Sequence, residues 1–520
     1  MPIAASILLL ACSVLAPPTA AQTPDTTAAR IDSFIEGAMK DLDLVPGLSL
    51  AVVREGKVVY AKGFGWADLE RQEPAAAETI YYLASLSKAL TGMGAAVMAD
   101  EGRLDLDEPI TRYFPDLRFP PRVAPADSIT VRSLLTHTAR FRNSGVNFYT
   151  SFVDRYDEED LVHVLSGYSG PSEGFSYSNT NYAIASEILE RAAGRPWQDV
   201  LAREVFAPVG MTSTTAYASR LPVRGLATPY LRTERGFEAR PPLKTDRKIT
   251  GAGGFFSNVR DLARYVIANL DDGRIDGRPV LPAAAVREVK KPQATLSATF
   301  FEFDRHAYGL GLYRAEYDGN LLLHHFGGIP GGFRSHMSFM PRHGVGVVVL
   351  QNTGGAAGAF PHIVATYVYD LLTGHPDAES RARRRLDDLS ARAPERVRSL
   401  TRQVDRMDSA AAAGEVPGLH RSAYLGTYEN PRLGRVRIRP GVDGLRADWG
   451  EIDAPMVPLG GNDFLVQWQP GYAPVTWTFL LSGDRVQGFD WGPRPFRRVG
   501  TDEPASGASA NRRAPSPRGR

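Results

Sequence analysis

The chain has one cysteine, Cys12, among 520 residues. An intramolecular disulfide is therefore excluded, and stability has to come from burial. It also lacks an excess of either charge: 60 Lys and Arg face 58 Asp and Glu, leaving +2, which offers no field for a nucleic acid. Its longest apolar stretch near the start, Ile3 to Leu15, is shorter than the ~20 residues a membrane span requires. No His, Cys and Asp cluster has metal-ligand spacing and no glycine-rich phosphate loop follows a strand, so neither a metal nor a cofactor is expected.

What is present is ordinary folded-protein composition, 43% hydrophobic and 23% charged, in a chain long enough for two domains of ~100–200 residues each. The apolar start, followed by Pro17-Pro18-Thr19-Ala20-Ala21, predicts an export signal over residues 1–21, although no Lys or Arg stands near Met1. The mature chain is then periplasmic or secreted. Cys12 follows Leu9-Leu10-Ala11 and leaves two readings open: the lipidated end of a membrane-anchored lipoprotein, or a residue discarded with the signal.

Residues 22–375 read as one domain. A helical pattern from Ala28 to Leu42 precedes two strands, Leu48 to Arg54 and Lys57 to Phe64, joined at Glu55-Gly56. Near its end Gly346-Val347-Val348-Val349-Leu350 has the continuous apolar character of a central strand. Helical patterns lie between, at Tyr182 to Ala193 and Val259 to Leu270, which predicts an α+β arrangement with one antiparallel sheet packed against helices. Residues 376–417 turn Arg-, Asp- and Ala-rich and read as a solvated helical linker, with Asp387, Asp388 and Asp405 diluting the basic run at Arg381–Arg385. Residues 418–500 break into short β-prone pieces such as Val436 to Arg439 and Thr476 to Leu481, the pattern of a small all-β barrel. Residues 501–520 read as a disordered tail.

The chemistry is concentrated in three short segments. Ser85-Leu86-Ser87-Lys88 opens an apolar helical stretch that runs to Asp100, so Ser85 and Lys88 share one helix face. A helix N-terminus favours negative charge on an attacked carbonyl, and burial makes a Lys a better proton acceptor. Tyr177-Ser178-Asn179 precedes a second helix, and His325-Phe326-Gly327-Gly328 precedes Ile329-Pro330-Gly331-Gly332-Phe333. Alone, each has a plainer reading: a chance match, an aromatic turn with a helix cap, a glycine-rich hairpin.

In this order the three resemble the active-site motifs of the serine penicillin-recognising family, Ser-x-x-Lys, Tyr-x-Asn and a Lys-Thr-Gly equivalent written as His-Phe-Gly. Thr79 to Ala84, Ile129 to Thr138 and Gly251 to Ser257 are similar to the connecting segments of class C β-lactamase relatives, and the resemblance spans roughly residues 30 to 370. It implies a β-lactamase/transpeptidase-like domain with its site between an all-helical lobe and a sheet-plus-helix lobe. It also implies Ser85 as nucleophile, with Lys88 and Tyr177 shuttling its proton and Lys88⁺ making Tyr177 a usable base. Asn179 would hydrogen-bond substrate or Lys88, and His325, Gly327 and Gly328 would bind substrate, the last through an oxyanion hole shared with the Ser85 N–H. Tyr424 to Asn430 is similar to the start of the lipocalin-like barrel appended to some relatives, where it serves assembly or covers the cleft.

The departures narrow the expectation. His325 and Phe326 stand where relatives hold a substrate carboxylate with Lys and Thr; Phe cannot donate a hydrogen bond and His is largely neutral above ~6.5. An esterase or D-amino-acid peptidase acting on esters or D-amino-acid amides is therefore expected ahead of an efficient β-lactamase, with β-lactams a lesser candidate and a slow penicillin-binding sensor as the alternative. Arg334 reads either as a substitute carboxylate ligand or as an exposed turn residue, His137 as structural, and Lys244-Thr245-Asp246 as a decoy of the third motif. The four tryptophans Trp449, Trp468, Trp477 and Trp491 read either as a ligand cavity or as barrel core. The barrel is also the expected surface for a homo-oligomer.

Overall fold

Val345–Gln351 is buried along its whole length, because apolar residues project from both faces and both faces are covered. Val348 and Leu350 join the core toward the helical lobe, whereas Val347 and Val349 join the one beneath the terminal helices. The computed structural model describes residues 24–500 apart from 242–243, 330–331, 470–471 and 492–494. The expected export signal, Cys12 and the tail lie outside the described residues.

The sheet has nine strands. They are β1 (Gly47–Arg54), β2 (Lys57–Asp68), β3 (Glu73–Pro74), β4 (Ala294–Phe300), β5 (Phe303–Tyr308), β6 (Tyr313–Tyr317), β7 (Asn320–Gly328), β8 (Arg334–Met340) and β9 (Val345–Gln351). The order is β4-β5-β6-β7-β8-β9-β1-β2-β3, so chain segments from both ends meet at the β9–β1 pair. α1 (Pro24–Leu42) packs under one face; α2 (Ser87–Asp100), α3 (Asn179–Ala193) and α4 (Val259–Leu270) contribute to the core above the other. This is the expected antiparallel sheet with helices.

α5 (Phe360–Leu372) continues under the sheet into α6 (Ala378–Ala413). The Arg-rich segment is helical, but it is more than a solvated linker. Ala378, Ala382, Leu389, Ala393 and Leu400 form a buried stripe at helical spacing. Arg385, from the basic run, is itself buried, bonded to Asp370 at 2.9 Å and Glu302 at 2.6 Å.

Eight strands then close a barrel, from β10 (Gly426–Asn430) and β11 (Gly434–Pro440) to a last strand, Phe496–Gly500, which pairs back on β10. Inward positions carry rings: Trp477 stacks on Phe489 at 4.3 Å and Phe489 on Phe496 at 4.6 Å. Trp449 and Trp477 are thus barrel core. Trp468 and Trp491 instead face Phe148 of the catalytic domain, with centroids 5.0 and 4.9 Å away. Val153, fully buried, joins the barrel's own core, and the Glu451 N–H donates to its carbonyl at 3.0 Å. Lys244-Thr245-Asp246 belongs to this junction, since the Thr245 hydroxyl donates to Glu451 and Lys248 lies 3.7 Å from the same carboxylate.

Candidate active site

The helix expected from Ser85 begins at Ser87, after one tight turn over Ala84–Leu86. Ala84 has φ +49°, a left-handed conformation that costs a residue with a Cβ about 1–2 kcal/mol. Its neighbours hold it there. The Leu83 N–H donates to Phe255 O at 2.9 Å, the Ser335 hydroxyl donates to Leu83 O at 2.7 Å, and Ser87 Oγ accepts the Phe255 N–H at 3.1 Å. Ser85, the next residue, remains partly exposed.

Lys88 is fully buried, with Nζ 2.7 Å from Asn179 Oδ1, 2.6 Å from Ala252 O and 3.3 Å from Ser85 Oγ. Burial away from any carboxylate pushes the amine well below its ordinary value. In all three contacts Lys88 is the donor, to Ser85 Oγ, Asn179 Oδ1 and Ala252 O, one acceptor for each N–H of an ammonium. The Tyr177 ring lies 4.8 Å from Lys88 Nζ. Burial pushes its hydroxyl up, and nearby Tyr313 adds to that. Desolvation thus works against the expected charge on Lys88 and against a basic Tyr177, and it accords with the expected proton-accepting role of a buried lysine.

The third motif divides between the two faces of its strand, because side chains alternate along β7. His325 faces the site but is fully buried; its Nδ1–H donates to Phe326 O at 2.8 Å, which leaves Nε2 to accept from Tyr308 OH at 3.2 Å. Burial keeps the ring neutral. With both nitrogens used it braces the floor beneath Tyr177, whose ring is 6.3 Å away, and leaves none for substrate. Phe326 points to the opposite face and stacks on Phe300 at 4.3 Å. Gly327 pairs with Ser335, and a Cβ there would lie 1.9 Å from Leu83 O and 3.0 Å from Leu86 N, so only glycine lets the strand approach the nucleophile turn. A Cβ on Gly328 would overlap the Arg334 side chain. Arg334 is thus no exposed turn residue: it lies across Gly328, largely buried, with Nε unpartnered.

Several contributors were not singled out from sequence. Tyr308 comes from a segment with no motif of its own, and the Ala252 carbonyl from a segment that resembles the family but was given no role; the contact of Asn179 with Lys88 is one of the two expected for it. His137, with φ +58°, accepts the Ser178 N–H on Nδ1 at 3.2 Å and lies 4.5 Å from the Tyr177 ring, which fixes the second motif. Among the described residues no group of three or more His, Cys, Asp or Glu is gathered as a metal site.

Comparison with known proteins adds three kinds of finding. The family model described as Beta-lactamase matches residues 31–365. Penicillin-binding protein 4* of Bacillus subtilis (strain 168) is 32% identical over 178 residues, 32% of this chain and 37% of that protein, so the chain spans about a third of that relative. The D-amino acid amidase from Ochrobactrum anthropi SV3, solved with L-phenylalanine amide, superposes with TM-score 0.53 at 28% identity, covering 68% of this chain and 99% of that one. The octameric penicillin-binding protein homologue from Pyrococcus abyssi shares the fold over 90% of this chain and 99% of its own, with TM-score 0.57 and 21% identity.

Proposed function

Because the chain belongs to the Beta-lactamase family, we propose that it is a serine hydrolase that forms and hydrolyses an acyl-enzyme on Ser85. The observation that carries this is the Lys88 amine, buried, without a carboxylate partner and 3.3 Å from Ser85 Oγ. Lys88 takes the hydroxyl proton as Ser85 attacks an ester or amide carbonyl. Tyr177, whose ring flanks the Lys88 amine, relays that proton to the leaving alcohol or amine, and the same groups then activate the deacylating water. Asn179 holds Lys88 in register. The backbone N–H groups of Ser85 and Gly328 form the oxyanion hole, each such donor being worth about 10²–10³ in rate.

The substrates are esters and D-amino-acid amides ahead of penicillins. A neutral, buried His325 and a Phe326 turned to the far face leave β7 itself with no cation for a β-lactam carboxylate, the nearby guanidinium being that of Arg334 on β8, and the likeness to a D-amino acid amidase supports the amide arm. Tyr177 in the second motif favours the class C branch. The sequence of residues 1–21 supports export.

The test sets the purified protein beside Ser85→Ala on p-nitrophenyl butyrate, D-phenylalanine amide and a chromogenic cephalosporin. Hydrolysis of the first two, lost in the variant, is expected. Activity that survives Ser85→Ala removes the nucleophile assignment, and cephalosporin turnover faster than that of the ester removes the substrate order.

A further inference from the structure

A cavity of about 600 Å³ opens beside the second motif, walled by Tyr177 and Asn179 on one side and by Arg142, Asn147 and Tyr168 on another. Its remaining wall comes from the barrel. Arg432, in the turn between β10 and β11, reaches across from more than 250 residues away in sequence. The turn is fixed: Asn430 Oδ1 accepts the Arg432 N–H at 2.9 Å, and the Tyr156 hydroxyl donates to Arg432 O at 2.6 Å. The side chain passes close over Gly145, where a Cβ would stand 3.4 Å from Nε, and its guanidinium carbon is 5.7 Å from the Tyr168 ring.

The polar balance of this cavity is one-sided. Its lining contains two guanidinium groups, Arg142 and Arg432, and no Asp or Glu. Arg432 Nε is buried without a hydrogen-bond partner, and Asn147 Oδ1 nearby is a buried acceptor in the same condition. Donors and acceptors left empty in this way are costly unless something else completes them. An anion in the cavity would face two guanidinium groups with no carboxylate in the lining to oppose it.

We propose that this cavity is a substrate subsite for a carboxylate, recognised by Arg432 of the barrel together with Arg142, so that the active site is completed by the second domain. The inference rests on the hydrolase reading above. It also supplies what the third motif lacks, because the cation absent from β7 is provided from the barrel, on the Tyr177 side of the site. Planar guanidinium groups suit a carboxylate, which they bind through paired N–H donors.

The experiment has two readouts. Binding of glutarate to the Ser85→Ala protein, followed by calorimetry, needs no turnover; it is expected to be measurable and to weaken about 10–100-fold in a Ser85→Ala/Arg432→Gln double variant, the range of a charged hydrogen-bonded contact. Turnover then compares neutral p-nitrophenyl butyrate with the p-nitrophenyl monoester of glutaric acid and with 4-carboxyphenyl butyrate, which place the carboxylate on the acyl or the leaving side. The parent is expected to prefer one carboxylated ester, Arg432→Gln to lose that preference by a similar factor through KM, and Arg432→Lys to retain part of it. Equal losses on neutral and carboxylated esters, or glutarate binding indifferent to Arg432→Gln, would overturn the subsite. Glutarate binding without any ester hydrolysis would instead sink the hydrolase reading and leave the subsite standing.

Discussion

Gly327→Ala is the sharpest perturbation the site offers. The new Cβ would start 1.9 Å from Leu83 O, 2.5 Å from Ser335 Oγ and 3.0 Å from Leu86 N. Non-bonded heavy atoms settle near roughly 3.5 Å, so strand and turn must part by about 1.5 Å. Leu83 cannot swing aside alone, since its carbonyl is bonded to Ser335 and its N–H to Phe255 O. The displacement therefore passes into Ala84 and Ser85. A misplacement of about 1 Å at a reacting group costs about 10² in rate, and overpacking costs about 1–3 kcal/mol of stability. We expect the acylation rate on p-nitrophenyl butyrate, measured in single turnover, to fall at least about 100-fold, with a thermal midpoint lowered by a few degrees in calorimetry. Gly37→Ala in α1, where no atom lies within 4 Å of the added carbon, serves as the control and should leave the rate alone while favouring the helix by up to about 1 kcal/mol. A Gly327→Ala enzyme within about fivefold of the parent would refute the claim that this contact sets the nucleophile's position.

Two further predictions concern the buried lysines. If neutral Lys88 is the resting base, its depressed pKa forms the acid limb of the acylation rate, which falls tenfold per pH unit once the amine protonates; a limb at the ordinary lysine value of about 10.4 would exclude that role. Lys244, 4% exposed, is pushed by burial from 10.5 to about 7. Between those values the unfolded chain binds a proton that the folded chain does not, so stability rises with pH; below about 7 the full cost of the buried charge remains. Lys244→Met removes that cost, on the order of a few kcal/mol, and its gain in thermal midpoint should be larger at about pH 6 than at about pH 9; an equal gain at both would contradict the cause assigned.

The parts of the site that sequence exposed are those where chemistry is contiguous. Ser85 and Lys88 lie one helical turn apart, and Tyr177 and Asn179 flank a single residue, so local pattern and order along the chain reveal them. The strand period was also available at His325 and Phe326: neighbours on a strand point to opposite faces, which already denies them a shared task. What stayed hidden depends on long-range packing. The Ala252 carbonyl that closes over Lys88 comes from 164 residues further along the chain, and no spacing rule links Arg432 to Tyr177. In α6 the alternation of Arg with Ala concealed a buried stripe, because alanine carries little hydrophobic signal even where it permits close packing.

The closing strand of the barrel has a consequence for a shortened chain. Phe496–Gly500 pairs with β10, so the barrel whose aromatic residues cover Phe148 and Val153 closes only once this last strand is in place. A chain cut before it would leave the apolar residues of the catalytic domain at this junction without their full cover.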